Sequence, residues 1–325
     1  MHIGTPPGVL HSRSMQVPFA RTQIDRLEDL CDAVDKAGLS AFQLSRQVPS
    51  GSLVHAAHDD ITLSSGQHEG RIQLRGPLSD EAISVCVGLR IPRSRLLLRD
   101  IDTGIVCLLR PGAEQEAFHD LDTRYAVITL SEEALEREAE RLGLPFSRNA
   151  FRRTRVHPEP MVPAHLTMIS DTLARLHRAD GQSRLSSDSF ADIVAALIGH
   201  FARRSESLSL RPLRQREKIV ESTRAHIDQN LNQHLNIEDL ARCAGVSRRT
   251  LTRSFEETLG ESPGSYIARM RLHHIRANLL AGDPRSSTIA EVSNQWGIGE
   301  LGRMSARYRA LFGELPSQTR ARAAR

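Results

Sequence analysis

A segment of about fifty residues occurs twice in the C-terminal third of the 325-residue chain, and this repeat constrains the fold most strongly. The first copy reads IEDLA, three residues and GV, and the second reads IAEVS, three residues and GI, at an offset of 52. Further along, Leu251, Phe255, Gly260 and Pro263 match Met304, Tyr308, Gly313 and Pro316 at an offset of 53. One structural unit used twice therefore organises this part of the chain.

Each copy predicts two helices joined by a glycine turn. In the first copy, Gly245 supplies a left-handed turn position without steric cost, and Ser247 can cap the second helix. Leu251 and Phe255 lie four residues apart, so both point back toward the first helix. This pattern is typical of a helix-turn-helix unit. We assign two such units, at 237–258 and 289–312.

The second helix of the first unit presents a basic face. Its outward residues are Arg248, Arg249, Thr250, Thr252 and Arg253. Arg249 and Arg253 lie one turn apart near the helix N-terminus, the part that a recognition helix inserts into the major groove. There an arginine can donate two hydrogen bonds to guanine, worth about 1–3 kcal/mol of discrimination. The alternative is a solvated basic helix face, which the recurrence of the unit disfavours.

The corresponding helix of the second unit is less suited to reading bases. Its outward residues include Gly302, Arg303, Ser305, Ala306, Arg307 and Arg309. Gly302 and Ala306 offer a base little beyond close approach or a methyl contact, whereas the arginines suit phosphates, which position a protein without specifying sequence. We predict that the first unit specifies the DNA sequence and that the second mainly anchors the protein.

The segment between the units and the charge distribution both favour DNA as the partner. Residues 265–280 predict one continuous helix of about 24 Å, a rod that could hold both recognition helices on one face of DNA. Residues 1–210 contain 24 Lys and Arg against 27 Asp and Glu, whereas residues 211–325 contain 19 against 12. The C-terminal part therefore has the positive field expected of a polyanion binder.

The motifs of this region resemble those of the AraC/XylS family of bacterial regulators. They read IEDLARCAGVSRRTLTRSFEETLGESPGSYI at 237–267, RL at 271–272, LL at 279–280 and TIAEVSNQWGIGELGRMSARYRALFGELPS at 288–317, about a third of the chain. The resemblance places the base-reading positions on Arg249, Thr252, Arg253, Leu301, Gly302, Ser305 and Ala306. It implies a sequence-specific transcription regulator, more often an activator, with double-stranded promoter DNA and RNA polymerase as partners.

The chain departs from the family pattern in the second unit. Ile298 and Met304 stand where the family usually has Phe, and Ala306 stands where it often has a polar or basic residue. A looser resemblance, in the second motif and at 104–112, is to regulators of ethanolamine or alcohol utilisation. It implies an effector-sensing domain of cupin-like β type and a small-molecule effector of unknown identity, with no pocket residue assigned.

The part before the repeat predicts strands and then helices. Short apolar runs broken by Gly, Pro and Asp predict a small sandwich or barrel with a turn at Gly66. The runs are 61–63, 72–74, 82–89, 96–98, 105–109 and 125–130. Ser131 predicts the N-cap of a helix that ends before Gly143. The fold class is therefore α+β: a β-rich sensory domain with accessory helices, then an all-α domain of two helix-turn-helix units joined by a long helix.

Composition divides the chain into five predicted segments. These are a disordered N-terminus at 1–20, a β-rich effector-sensing domain at 21–142, a helical connector at 143–204, a linker at 205–213 and a DNA-binding domain at 214–325. The connector contains an apolar stripe of Phe190, Ile193, Val194, Leu197, Ile198 and Phe201. Such a stripe packs either against its own domain, which we favour, or against a second copy in a homodimer.

The sequence argues against enzymes, metal sites and membrane proteins. No apolar run approaches the ~20 residues that span a bilayer, and no signal peptide begins the chain, so we expect a cytoplasmic protein. The cysteines Cys31, Cys86, Cys107 and Cys243 occur singly. The group His55, His58, His68, Glu69 and His119 lacks the spacing of a metal cupin. No nucleophile elbow, P-loop or dinucleotide fingerprint occurs, and we expect neither catalysis nor a cofactor.

One alternative function does not involve a specific DNA site. A helical protein-interaction module with a β-domain sensor would use the apolar stripe, but it would leave the basic repeat without a role. Salt dependence separates the two, because DNA binding releases counterions and so weakens steeply as salt rises.

Overall fold

The computed structural model describes residues 15–144, 153–178, 183–202, 211–282 and 287–323. The strands are β1 (Gln16–Val17), β2 (Phe19–Ile24), β3 (Ser40–Gln43), β4 (Ser50–His58), β5 (Ile61–Glu69), β6 (Ile72–Arg75), β7 (Ile83–Arg90), β8 (Ser94–Leu96), β9 (Arg99–Ile101), β10 (Val106–Leu109), β11 (Glu116–His119), β12 (Thr123–Leu130), β13 (Arg155–Val156) and β14 (Leu185–Ser186). A 3₁₀ helix at Leu27–Asp32 precedes the helices α1 (Glu132–Arg141), α2 (Pro163–Leu176), α3 (Ser187–Ala202), α4 (Gln215–Gln229), α5 (Ile237–Cys243), α6 (Arg248–Leu259), α7 (Pro263–Ala281), α8 (Ile289–Gln295), α9 (Leu301–Phe312) and α10 (Pro316–Ala323).

A β-rich domain with accessory helices precedes a helical domain, which confirms the predicted α+β class. Seven antiparallel strands form one sheet in the order β13-β10-β7-β12-β5-β4-β2, and five form another in the order β3-β6-β11-β8-β9. Side chains of both sheets line an apolar cavity between them. The assignment to a cupin-like type stays a prediction.

Two details of the strand prediction are wrong. Gly66 lies inside β5 rather than in a turn, opposite Tyr125 of β12. A Cβ at position 66 would lie 2.3 Å from the Tyr125 hydroxyl oxygen, so the glycine makes room for a buried aromatic ring. The apolar run at 96–98 also ends its strand at Leu96, because Leu97 and Leu98 adopt left-handed φ angles of 50° and 63°.

The predicted disordered N-terminus includes ordered strands. Residues 1–14 lie outside the described residues, but β1 pairs with β14, about 170 positions along the chain. Val17 is buried in the largest apolar cluster of the β-rich domain. A pairing over this distance leaves no local sequence signal, so the expectation of disorder at residues 15–20 is wrong. Of the predicted linker at 205–213, only residues 211–213 are described.

The accessory helices close one side of the β-rich domain. The Ser131 hydroxyl accepts a hydrogen bond from the Ala134 amide at 3.1 Å, which confirms the predicted cap of α1. The six stripe residues of α3 are at most 2% exposed and pack in the same apolar cluster as the strands. The stripe therefore packs within its own domain, and the homodimer alternative for this stripe is wrong.

The helical domain is arranged around α7. This helix has 19 residues, so it is about 28 Å long, and it exceeds the predicted range of 265–280 at both ends. The Ser262 hydroxyl caps it by accepting from the Ser265 amide at 3.2 Å. Across the described ranges, none of the helices has the length and apolar character needed to span a bilayer.

The contact between Gly66 and Tyr125 predicts a stability difference between two glycine substitutions. Gly66→Ala forces a Cβ into the Tyr125 ring, and overpacking of this kind costs about 1–3 kcal/mol. Gly199→Ala in α3 is the matched control, because a Cβ there meets no atom within 4 Å and alanine favours a helix. Thermal unfolding followed by circular dichroism should show a lower midpoint for Gly66→Ala only. Equal midpoints for both variants would contradict this packing.

Candidate nucleic-acid interface

The first helix-turn-helix unit is held together by local caps and a small apolar core. The Asn236 side chain caps α5, Gly245 makes the turn at a φ of 65°, and the Ser247 hydroxyl accepts from the Thr250 amide at 3.1 Å. Leu251 and Phe255 of α6 are fully buried, as their spacing predicts. These contacts fix α6 on α5 and leave the opposite face of α6 outward.

The outward face of α6 contains the predicted residues. Arg248, Arg249, Thr250 and Arg253 are exposed and Thr252 is half-buried. Arg248 lies 3.4 Å from Glu238, and Arg253 lies 2.7 Å from Glu257. Arg249 has no ion-pair partner within the described ranges. Arg249 can therefore donate to a base directly, and Arg253 can do so through its Nη atoms while it donates to Glu257 through Nε.

The second unit has the same construction with a stronger cap. Thr288 and Glu291 form a reciprocal capping box at the start of α8, with the Thr288 amide 2.7 Å from the Glu291 carboxylate. Gly297 makes the turn at a φ of 69°. Met304 and Tyr308 of α9 are buried and turn the remaining side chains outward.

The first two residues of α9 have side chains without hydrogen-bonding groups. Leu301, Gly302, Arg303, Ala306 and Arg307 are exposed, and Ser305 is half-buried. Leu301 is a large apolar side chain that is 38% exposed, which suits a thymine methyl group. A Cβ on Gly302 would meet no atom within 4 Å, so a DNA backbone can approach closely there.

Other aromatic residues pack near Ile298 and Met304, which stand where the family usually has Phe. Met304 is 1% exposed in a core that includes Tyr308 and Phe312, whose ring centroids are 4.6 Å apart. Trp296 stacks on His274 of α7 at 4.3 Å. The second unit thus keeps an aromatic core, although Ile298 and Met304 are aliphatic.

Arg271 of α7 has a structural role that the sequence pattern did not reveal. Its guanidinium donates to the carbonyl oxygens of Leu231 at 2.9 Å, of Gln233 at 2.5 Å and of Gly297 at 3.4 Å. The first two carbonyls follow α4, and the third lies in the turn of the second unit. One side chain therefore connects the segment before the first unit to the turn of the second unit, and only its place in the RL motif hinted at this role.

A groove of about 430 Å³ lies beside Arg271 between the two units. Arg303 and Arg307, one turn apart on α9, line its edge. Arg303 is paired with Glu300 at 3.1 Å, whereas Arg307 has no ion-pair partner in the part of the chain described. Positive side chains one turn apart along a groove suit phosphate contacts.

Comparisons with known proteins agree with the assignment of helix-turn-helix units to this domain. Residues 240–322 match the family described as "Helix-turn-helix domain". XylDLEGF operon transcriptional activator 1 of Pseudomonas putida is 24% identical over 282 residues, 83% of this chain and 84% of that protein. XylDLEGF operon transcriptional activator 2 of the same organism is 36% identical over 103 residues, 32% of this chain and 63% of that protein.

Among solved structures, a probable AraC family transcriptional regulator from Rhodopseudomonas palustris CGA009 is 32% identical and covers 33% of this chain and 97% of its own, with a TM-score of 0.31. The family match covers all of the second unit and residues 240–258 of the first. The looser resemblance to ethanolamine or alcohol-utilisation regulators stays a prediction.

Two alanine substitutions test whether the first unit specifies the DNA sequence and the second mainly anchors the protein. Arg249→Ala should relax base preference at one or two positions, with a loss of about 1–3 kcal/mol at the preferred base. Arg307→Ala should weaken binding to all sequences alike and lower the salt dependence by about one phosphate contact. Binding-site selection from random DNA measures base preference, and binding across a salt series measures the phosphate contact, with Arg137→Ala in the β-rich domain as the control for both. A larger change in base preference from Arg307→Ala than from Arg249→Ala would reverse the assignment.

Proposed function

We propose that this chain, a DNA-binding transcription regulator with an AraC/XylS-type double helix-turn-helix domain, activates transcription in response to a small uncharged molecule. The observation that carries the proposal is the apolar cavity between the two sheets of the β-rich domain. The DNA-binding domain alone would not need an apolar cavity in a second domain. The names of the similar Pseudomonas putida proteins support activation as the sign of control.

The cavity favours a small and mostly apolar effector. Its volume is about 80 Å³, which corresponds to roughly six non-hydrogen atoms at ~10–15 Å³ for each water-sized position. The lining side chains include Leu74, Cys86, Val87, Cys107, Ala117 and Val127. Burying an apolar ligand against such side chains is favourable by about 25 cal/mol per Å² of apolar surface.

The polar groups at the cavity favour an uncharged effector. No Lys, Arg, Asp or Glu of the described residues lines it. His119 lies with Nδ1 3.1 Å from His68 Nε2, and burial lowers the pKa of His119 to about 3, so this pair is neutral at pH 7. The Tyr125 hydroxyl already donates to the Ala33 carbonyl at 2.9 Å. A carboxylate would be buried without a partner, whereas one neutral hydrogen-bonding group could meet His119 or Gln115.

Promoter DNA and RNA polymerase are the further partners that a regulator of transcription requires. We expect the regulator to act in the cytoplasm, by binding rather than catalysis, on double-stranded promoter DNA and to contact RNA polymerase there. Two units in one chain can occupy successive major-groove faces, and a homodimer would double that footprint. Within the described residues, no cluster of three or more His, Cys, Asp or Glu side chains could hold a metal ion.

The DNA part of the proposal is tested on the intergenic DNA beside the gene. Between 50 and 200 mM salt, the affinity of the protein for this DNA should fall by at least about tenfold, because phosphate contacts release counterions. Transcription from the adjacent promoter by purified RNA polymerase should rise when the protein and cyclohexanol, a small uncharged alcohol, are both present. The double variant Arg249→Ala/Arg253→Ala should show neither preference for this DNA nor activation. Lower transcription in the presence of the wild type would refute activation.

The cavity part is tested by the reactivity of cysteine thiols. Cys86 and Cys107 line the cavity, and Cys243 is exposed outside it. Cyclohexanol should slow labelling of the cavity thiols by methyl methanethiosulfonate several-fold, whereas cyclobutanecarboxylate, which has the same number of non-hydrogen atoms, should not. Labelling of Cys243 is the internal control, and mass spectrometry gives all three rates. The neighbouring Cys107 and burial raise the pKa of Cys86, so the reaction is run above pH 8. Protection by the carboxylate alone would contradict the uncharged effector.

A further inference from the structure

Two cysteines, Cys86 of β7 and Cys107 of β10, lie directly opposite each other on neighbouring antiparallel strands. Two residues further along β7, the Gly88 amide donates to the Ile105 carbonyl oxygen at 3.3 Å. Hydrogen-bonded pairs recur at every second residue of such strands, so Cys86 and Cys107 form the next pair of this type. Side chains opposite each other share one face of the sheet, and the two thiols therefore point to the same side.

The separation of this pair suits a disulfide bond. The Cα atoms of a hydrogen-bonded antiparallel pair are about 5.5 Å apart. Disulfides join residues whose Cα atoms are about 4.4–6.8 Å apart. The Cys107 sulfur lies 3.9 Å from the Cys86 carbonyl oxygen, so it is directed toward β7. The two sulfurs can therefore join without a change in the register of the strands.

Both thiols line the apolar cavity between the two sheets. Cys107 is 8% exposed and Cys86 is half-buried. Many buried cysteines serve only as small apolar side chains in a packed core. Here Val85 and Leu108, the next residues on each strand, pack in the core on the opposite face of the sheet, whereas the thiols border open space. A small reactant in this space would contact both sulfurs.

The walls of the cavity determine which oxidant can reach the thiols. The volume of about 80 Å³ has room for roughly six non-hydrogen atoms. None of the described residues that line it is a Lys, Arg, Asp or Glu. Oxidised glutathione is far larger, and its carboxylates would be buried without partners. A small uncharged hydroperoxide meets neither obstacle.

We propose that Cys86 and Cys107 form a redox-active dithiol, which a small uncharged alkyl hydroperoxide oxidises to a disulfide bond inside the β-rich domain. One thiolate attacks the terminal oxygen of the hydroperoxide, so an S–O bond forms, the O–O bond breaks and the alkoxide takes up the proton of that thiol to leave as an alcohol. The second thiol then attacks the sulfenic acid, so the S–S bond forms, the S–O bond breaks and water leaves. Two electrons pass from the thiols to the hydroperoxide. This inference does not depend on a regulatory ligand in the cavity.

The surroundings of the pair make the reaction slow at pH 7. A hydrogen bond with Cys107 and burial raise the pKa of Cys86. The other titratable residues at the cavity are Tyr125, whose pKa burial raises, and His119, whose pKa burial lowers to about 3. Both are neutral, so neither stabilises a thiolate. Because the thiolate is the attacking form, oxidation should become faster as the pH rises from 7 to 9.

The experiment treats the reduced full-length protein above pH 8 with tert-butyl hydroperoxide, which has six non-hydrogen atoms. Trypsin cleaves after Arg90 and so separates the two cysteines, and mass spectrometry without reduction detects the linked peptides. We expect a link between Cys86 and Cys107 that dithiothreitol reverses. Oxidised glutathione at the same concentration should form it at least about tenfold more slowly, because its charges oppose entry.

Serine variants of the four cysteines provide the controls. Cys31→Ser and Cys243→Ser should keep the link, because neither residue lines the cavity. Cys107→Ser should abolish it, and dimedone should then trap Cys86 as the sulfenic acid. Links of Cys86 to Cys31 or Cys243 that form as readily as the link to Cys107 would indicate oxidation of an opened protein and would overturn the proposal.

A second oxidant separates the geometry of the pair from its reactant. Diamide is a small uncharged thiol oxidant that acts without a peroxide bond. If diamide forms the link and tert-butyl hydroperoxide does not, the hydroperoxide chemistry is wrong. If neither forms the link in the folded wild type, the two thiols are not a redox pair and the whole inference is overturned.

Discussion

The burial of α7 is the constraint on which the arrangement of both domains depends. Ten of its 19 residues are buried, including Arg269, His273 and Arg276. Polar groups of this kind are tolerated in an interior only when they are hydrogen-bonded or paired. His273 meets the Gln43 carbonyl of β3 at 3.0 Å, and Arg269 meets Glu261 at 2.6 Å. Each pairing fixes one neighbour of α7, so the helix positions the β-rich domain as well as the two units.

Because of these buried pairs, the net positive charge of the C-terminal part does not measure the positive charge on its surface. Arg224, Arg269 and Arg276 are buried in ion pairs and cannot reach DNA, whereas Arg249 and Arg307 are exposed. A charge count treats both groups alike. If α6 and α9 face DNA as proposed, the field toward it depends on their few exposed arginines, and binding should be more sensitive to single substitutions there than the count implies.

Features with local causes could be predicted from the sequence, and features with distant causes could not. Gly245 and Ser247 act on their own turn and cap, so the helix-turn-helix units were predictable residue by residue. Gly66 needs its small size because of Tyr125, which is 59 positions away, and β1 is ordered by β14. The outward residues of α6 and α9 follow from helical periodicity, but no local pattern indicates that Glu116 meets Arg224.

A neutral cavity and a charged domain contact on opposite faces of β11 suit a molecular switch. Dispersion and hydrophobic contacts to an uncharged ligand depend on shape, so they can displace a strand without changing any charge. The buried pair of Glu116 and Arg224 lies where the effective dielectric constant is low, so its energy depends steeply on separation and angle. The same displacement would cost little in an exposed pair such as Asp60 and Arg137, where water screens the charges. Burial of the pair on the outer face thus makes the contact between β11 and α4 sensitive to small changes in the position of the strand.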